Sequence, residues 1–74
     1  MKYQIRKKHD NKLVAEFDKE VNALKWFHNH YPYSFNTALS LGEENLYEIK
    51  DDGTEVRVRP IPIKNGYQFY DDVN

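Results

Sequence analysis

The sequence predicts a small α+β domain with the element order β-β-α-α-β-β, in which two antiparallel hairpins pack against two helices. Apolar and polar residues alternate on both sides of a polar turn near Asp10, and apolar residues then recur at helical spacing. Alternation returns around Asp52-Gly53. A chain of 74 residues has room for one core. We place the core of this single domain at about residues 2–63, followed by an aromatic tail at 64–74.

The first hairpin is predicted from two alternating runs joined by the polar turn. With a two-residue turn, Ile5 would lie opposite Glu16, which mixes the core and solvent faces of the sheet. We therefore prefer a three-residue loop over residues 10–12, which pairs Ile5 with Phe17 and Arg6 with Glu16.

The first helix is expected to follow Asp18 and to end before Pro32. Asp18 is a favourable N-cap, and Glu20 lies in the first turn, where the helix dipole favours a carboxylate. The residue before a proline is pushed out of helical geometry. The apolar stripe of this helix comprises Val21, Leu24, Phe27 and Tyr31.

Trp26, the only tryptophan, points away from that stripe, on the side of Ala23 and His30. A large aromatic side chain opposite the core must be covered by another part of the chain or by a partner. Coverage by the second helix, Tyr67 or Phe69 is the favoured interpretation, and a partner interface is the alternative.

The second helix is predicted over Ser34–Leu41, with Ser34 as its N-cap. Gly42 fits a left-handed position just past its end. The alternative is a strand through Thr37–Leu41. The apolar stripe of the helix comprises Phe35, Ala38 and Leu39.

The second hairpin is predicted from Asp52-Gly53, a favourable pair for a two-residue type I′ turn. In this register apolar residues face apolar residues and charges face opposite charges, which supports it. The predicted pairs are Ile49 with Val56, Tyr47 with Val58, Lys50 with Glu55 and Glu48 with Arg57.

Prolines mark the end of the predicted sheet. Pro60 and Pro62 cannot donate hydrogen bonds to a strand ladder, so the run Arg59–Ile63 leaves the sheet or forms its edge. Asn65-Gly66 is a turn signal, and Tyr67–Tyr70 then adds a short strand or folds over a helix.

Composition excludes several protein classes. Cysteine is absent, which rules out disulfides, thiol chemistry and Cys-ligated metal sites. No apolar run is long enough to span a bilayer, and the N-terminal stretch lacks the apolar region of a signal peptide. We expect a cytoplasmic protein with no membrane partner. We associate the richness in Lys, Asn, Asp and Tyr with bacteria and bacteriophages of low genomic GC content.

Charge is segregated along the chain, although the net charge is only −1. Residues 1–12 carry five basic side chains and one carboxylate, whereas residues 13–52 carry three basic side chains and eight carboxylates. A dipolar surface of this kind can steer a charged partner. The favoured interpretation is two solvated faces that keep a small protein in solution.

Few residues support catalysis or metal binding. The two serines are accounted for by the second predicted helix, no glycine-rich phosphate loop is present, and paired carboxylates fall in predicted turns or the tail. His28 and His30 are two residues apart, unlike the i, i+4 pair of a helical zinc site. We expect no enzyme activity, no metal ion and no cofactor.

A basic hairpin surface supports nucleic-acid binding as an alternative function. Asp10 interrupts the basic run, and the pI of about 6.3 is not basic. The candidate residues are Arg6, Lys7, Lys8 and Lys12, with Arg57 and Arg59 near the other hairpin.

The aromatic residues favour a protein partner, because Trp, Tyr and Arg anchor protein interfaces. We predict a non-catalytic protein-binding module, an adaptor or inhibitor of a kind common among phage and mobile-element products. A second alternative is a homodimeric structural protein, built through an edge strand or the Trp26 face. The candidate interface residues are Trp26, Tyr33, Arg57, Arg59, Tyr67 and Tyr70.

Overall fold

The computed structural model describes residues 1–61, which form two hairpins separated by two helices. The predicted α+β architecture and element order are confirmed. The predictions for Pro62 and for the aromatic tail, including Tyr67, Phe69 and Tyr70, lie outside the described residues. The elements in chain order are β1 (Lys2–Lys7), β2 (Leu13–Phe17), α1 (Glu20–His30), α2 (Phe35–Leu41), β3 (Glu44–Ile49) and β4 (Glu55–Val58).

All four strands belong to one antiparallel sheet in the order β2-β1-β3-β4. β1 and β3 pair in its centre, where Ile5 lies opposite Leu46. Both side chains are fully buried in a core shared with the helices, with α1 packed against β1 and β2 and α2 against β3. The helices cover one face of the sheet, and no helix or strand within residues 1–61 covers the other.

The first hairpin has a different register from the predicted one. Ile5 pairs with Ala15, so the predicted pairing of Ile5 with Phe17 and of Arg6 with Glu16 is wrong. The shift at Ile5 is two residues, and the apolar side chains therefore stay on the core face.

Two local irregularities cause this shift. The connection has four residues (8–11), closed by a hydrogen bond of 2.9 Å from Lys7 N to Lys12 O. Asn11 takes the left-handed conformation that this loop requires, with φ at 62°. Val14 is an extra residue without a partner on β1 and forms a β-bulge.

Helix α1 starts later than predicted. Its N-cap is Lys19, whose side chain makes no capping hydrogen bond, so the prediction of Asp18 as N-cap is wrong. Lys19 still has extended geometry (φ −122°, ψ 137°), which leaves Asp18 too far from the first helical amides. The C-terminal end is confirmed, since Tyr31 is extended before Pro32.

The buried face of α1 is rotated relative to the predicted stripe. Leu24 and Phe27 are buried as predicted, but Val21 is 48% exposed and Ala23 is fully buried. The small side chain of Ala23 lets the helix lie close to its neighbours. Trp26 lies at the border of this face and is half-buried against the core, rather than opposite it.

Helix α2 is confirmed, and the alternative strand over residues 37–41 is wrong. Ser34 is the N-cap, and its Oγ accepts a hydrogen bond of 3.2 Å from Thr37 N. The predicted stripe of α2 is buried in the core.

Gly42 does not take the predicted left-handed conformation, since its φ is −75°. A Cβ atom at this position would lie 2.5 Å from Ala38 O and 2.9 Å from Tyr31 Cζ. The Tyr31 hydroxyl in turn accepts a hydrogen bond of 3.1 Å from Glu43 N and donates one to the Glu44 carboxylate. Glycine is therefore required because the Ala38 carbonyl oxygen and the Tyr31 ring both lie too close to this position for a side chain.

The second hairpin is shifted by one residue from the predicted register. β3 and β4 pair Leu46 with Val58, Tyr47 with Arg57, Glu48 with Val56 and Ile49 with Glu55. The shift overturns the predicted pairs Ile49–Val56, Tyr47–Val58, Lys50–Glu55 and Glu48–Arg57.

A three-residue loop, residues 51–53, causes this second shift. Lys50 N donates a hydrogen bond of 2.8 Å to Thr54 O, and only Gly53 of the loop has a positive φ, at 89°. A type I′ turn needs positive φ at both central residues. The observed register places both valines of β4 on the face of Leu46, towards the core.

Candidate functional site

The two edge strands of the sheet differ in how well they are protected against pairing with another strand. β4 alternates charged and apolar residues through Glu55 and Arg57, and it is followed by Arg59 and Pro60. Charges and a proline are common means of blocking a sheet edge. β4 ends at Val58, so within the described residues the start of the run Arg59–Ile63 leaves the sheet, which is one of the two predicted outcomes.

The opposite edge, β2, lacks this protection. We call the outward side of residues 13–17 the β2 edge. Leu13 and Val14 are 53% and 38% exposed and adjacent in sequence. Glu16 is the only charged residue of the strand. Within residues 1–61, β2 pairs only with β1, so its outer backbone groups have no strand partner.

The single charge on the β2 edge is already compensated. The Glu16 carboxylate accepts a hydrogen bond of 2.6 Å from Gln4 Nε2, and Lys2 Nζ lies 3.5 Å from its other oxygen. The Gln4 hydrogen bond, and then the charge of Lys2, lower the pKa of Glu16. The β2 edge therefore presents apolar side chains and backbone groups, with no uncompensated charge.

A polar network occupies the sheet face opposite the helices. Arg6 donates two hydrogen bonds of 3.0 Å to Glu55 and one of 3.0 Å from Nε to Gln4 Oε1. Its guanidinium lies 4.5 Å from the centroid of the Tyr47 ring. The hydrogen bond to Glu55 raises the pKa of Arg6. The network links β1 to β4 across β3, and the charge of Arg6 is paired with the Glu55 carboxylate.

The structure does not bring the four nucleic-acid candidates onto one surface. Arg6 is bound by Glu55, and Lys7 lies on the other face of β1. Lys8 Nζ donates hydrogen bonds of 2.9 and 3.3 Å to the carbonyl oxygens of Leu39 and Ser40 at the end of α2. Lys12 lies across the loop at the start of β2. The basic residues are therefore spread over both faces of β1 and its loop, and Arg6 and Lys8 are already engaged in hydrogen bonds within the domain.

The candidate interface residues also lie on separate parts of the domain. Trp26 stacks on His30 at 3.9 Å between ring centroids, and Tyr33, which is 45% exposed, stacks on Tyr31 at 6.4 Å. Both belong to the helical layer. Arg57 and Arg59 lie on or just after the edge strand β4 and are exposed, and Tyr67 and Tyr70 lie outside the described residues.

Asn36 has a structural role that the sequence analysis missed. It is buried on α2, and its amide group donates a hydrogen bond of 2.7 Å to Ile61 O and accepts one from Ile61 N. The side chain thus binds both backbone groups of Ile61 after β4. The sequence does carry a signal for this role, because a polar residue between Phe35 and Thr37 in a short buried helix needs a hydrogen-bond partner.

The described part of the chain contains no group of three or more His, Cys, Asp or Glu residues placed to hold a metal ion. No helix within residues 1–61 combines the length and apolarity needed to cross a membrane. Comparison with models of protein families, with curated proteins and with solved structures finds no match.

Proposed function

We propose that this chain is a non-catalytic protein-binding module that adds a short extended segment of another protein to its β2 edge. The observation that carries the proposal is the contrast between the two edges. β4 is charged and followed by Pro60, whereas β2 exposes Leu13 and Val14 beside unpaired backbone. Addition of a strand satisfies such backbone groups, and side-chain contacts give specificity.

The chemistry of the β2 edge indicates the kind of segment it binds. Because Gln4 and Lys2 already compensate Glu16, a charged partner gains little there. An uncharged segment with apolar residues next to Leu13 and Val14 fits best.

The length of β2 favours a peptide-sized partner over a second copy of the chain. Five residues span about 17 Å at the usual rise per residue. A stable protein–protein interface buries about 800 Å² on each partner. That is a large share of a total accessible surface of 5202 Å², more than one short strand supplies. The cysteine-free sequence needs no oxidising compartment, which supports a cytoplasmic adaptor or inhibitor.

The test compares the same substitution on the two edges. A display library of seven-residue peptides is selected against the unmodified protein, and the affinity of the selected peptides is measured for Val14→Lys and Val56→Lys. These valines are 38% and 41% exposed, so both variants should fold. We expect Val14→Lys to weaken binding at least tenfold and Val56→Lys to leave it unchanged.

Two results would overturn the proposal. One is the selection of peptides whose binding is equally weakened by both variants, or by neither. The other is a concentration-dependent dimer in sedimentation that Val14→Lys abolishes, because the β2 edge would then bind a second copy.

A further inference from the structure

A cavity beside β4, at the edge of the sheet away from β2, suggests a second binding site. It has a volume of about 310 Å³ and lies where the C-terminal end of α2 meets β4 and the adjoining ends of β1 and β3. This volume falls at the lower end of the range found for ligand pockets, roughly 300–1,000 Å³. Its lining includes Lys8, Asn45 and Arg57 but no carboxylate.

The donors that line this cavity are only partly used. Lys8 Nζ donates to Leu39 O and Ser40 O, which leaves one of the three ammonium hydrogens. The carbonyl oxygens at the end of α2 would repel an anion, and Lys8 screens them. No residue within 1–61 forms a hydrogen bond or ion pair with the Arg57 guanidinium.

Three kinds of donor therefore line this cavity: an ammonium, a side-chain amide and a guanidinium. Tyr47 on β3 lies opposite Arg57 on β4, and Asn45 is two residues before Tyr47 on the same face of the sheet. Asn45 and Arg57 are therefore diagonal neighbours. Lys8 follows β1 directly and also lines the cavity. A tetrahedral oxyanion accepts hydrogen bonds from several directions, and an arginine fork matches two of its oxygens.

We propose that this cavity binds a phosphate group through Lys8, Asn45 and Arg57. The site lies on the β4 side of the sheet, so it is independent of the β2 edge and can be occupied when the edge is free. The two proposals can therefore fail separately.

The experiment titrates the isotope-labelled protein with inorganic phosphate and follows its backbone amide resonances. Chloride at matched ionic strength measures general screening, and acetate provides a planar oxyanion. We expect phosphate to shift the amides of Ser40, Asn45 and Val58 in a saturable manner, beyond the shifts seen with chloride or acetate.

Two arginine variants provide the matched comparison. Arg57→Gln and Arg59→Gln each remove one positive charge from an exposed residue near the end of β4, but only Arg57 lines the cavity. Arg57→Gln should weaken phosphate binding about tenfold or more, the effect of losing a charge-assisted hydrogen bond. Arg59→Gln should retain the affinity within about twofold. Equal losses in both variants, equal responses to phosphate and acetate, or no saturable shift in the unmodified protein would overturn the proposal.

Discussion

The Arg6 guanidinium on β1 and the Glu55 carboxylate on β4 form two hydrogen bonds of 3.0 Å, although β3 lies between their strands. Tyr47 on β3 lies under the guanidinium, 4.5 Å from it to the ring centroid. The pair therefore joins the two hairpins across the sheet, and it leaves Arg6 unavailable for a nucleic-acid phosphate.

The Arg6–Glu55 pair should make stability depend on pH in the acid range. The hydrogen bond from Arg6, and then its charge, hold the pKa of Glu55 below its ordinary value of 4.5. A lowered pKa in the folded state contributes stability above pH 4.5, and this contribution is lost as the pH falls through the folded-state pKa.

Glu55→Gln should therefore flatten the loss of stability on acidification, measured by urea unfolding from neutral pH to about pH 3. Asp18→Asn removes the same charge from an exposed residue that caps no helix, and it serves as the control. An acid profile of Glu55→Gln that matches the unmodified protein would contradict the role of this pair.

Gly42 and Gly53 are glycines for different reasons. At Gly42 neighbouring atoms leave no room for a side chain, whereas at Gly53 the backbone has a positive φ. Gly42→Asn should destabilise the protein by about 1–3 kcal/mol, because any Cβ meets Ala38 O and the Tyr31 ring. Gly53→Asn should cost less than about 1 kcal/mol, since Asn tolerates positive φ and no atom lies within 4 Å of the new Cβ. Thermal unfolding of both variants tests this order, and a milder effect at Gly42 would restore the left-handed interpretation.

The buried amide of Asn36 should contribute measurably to stability. Asn36→Ala leaves the two backbone groups of Ile61 without their partner and should cost about 1–3 kcal/mol. The amide of Ile61 should also exchange its hydrogen faster. Asn29→Ala on the exposed side of α1 is the matched control and should change stability by less than about 0.5 kcal/mol. Equal costs for the two variants would show that the Asn36 contacts contribute nothing.

Trp26 should behave as a half-buried side chain. Its stacking on His30 and its edge contact with Phe27, at 5.1 Å between centroids, predict quenching by acrylamide that is intermediate between free indole and a fully buried tryptophan. Trp26→Ala should cost about 1–3 kcal/mol, less than the roughly 3–5 kcal/mol of a fully buried tryptophan. Quenching as strong as that of free indole would remove Trp26 from the packed layer.

The sequence was sufficient to predict the elements because each depends on nearby residues. Ser34 caps α2 by accepting a hydrogen bond from the amide of Thr37, three residues further on, and Pro32 ends α1 through its direct neighbour Tyr31. The registers failed because they depend on loop geometry. The bulge at Val14 and the single positive φ at Gly53 have no strong signature in the pattern of apolar residues.

The candidate site was harder to predict, because it depends on strand order and distant contacts. Arg6 finds its carboxylate 49 residues away, which local pairing rules could not identify. The exposure of Leu13 and Val14 follows from the outer position of β2 in the sheet and from the bulge. The alternation of residues in β2 carries neither piece of information.

Amide hydrogen exchange with and without a selected seven-residue peptide tests the central claim most directly. A strand added to β2 should slow exchange of the outward-facing amides within residues 13–17 and leave the outward amides of β4 unchanged. The Val14→Lys protein, under the same conditions, should show no added protection. Protection that appears on β4, or on the helices with β2 unaffected, would contradict binding at the β2 edge.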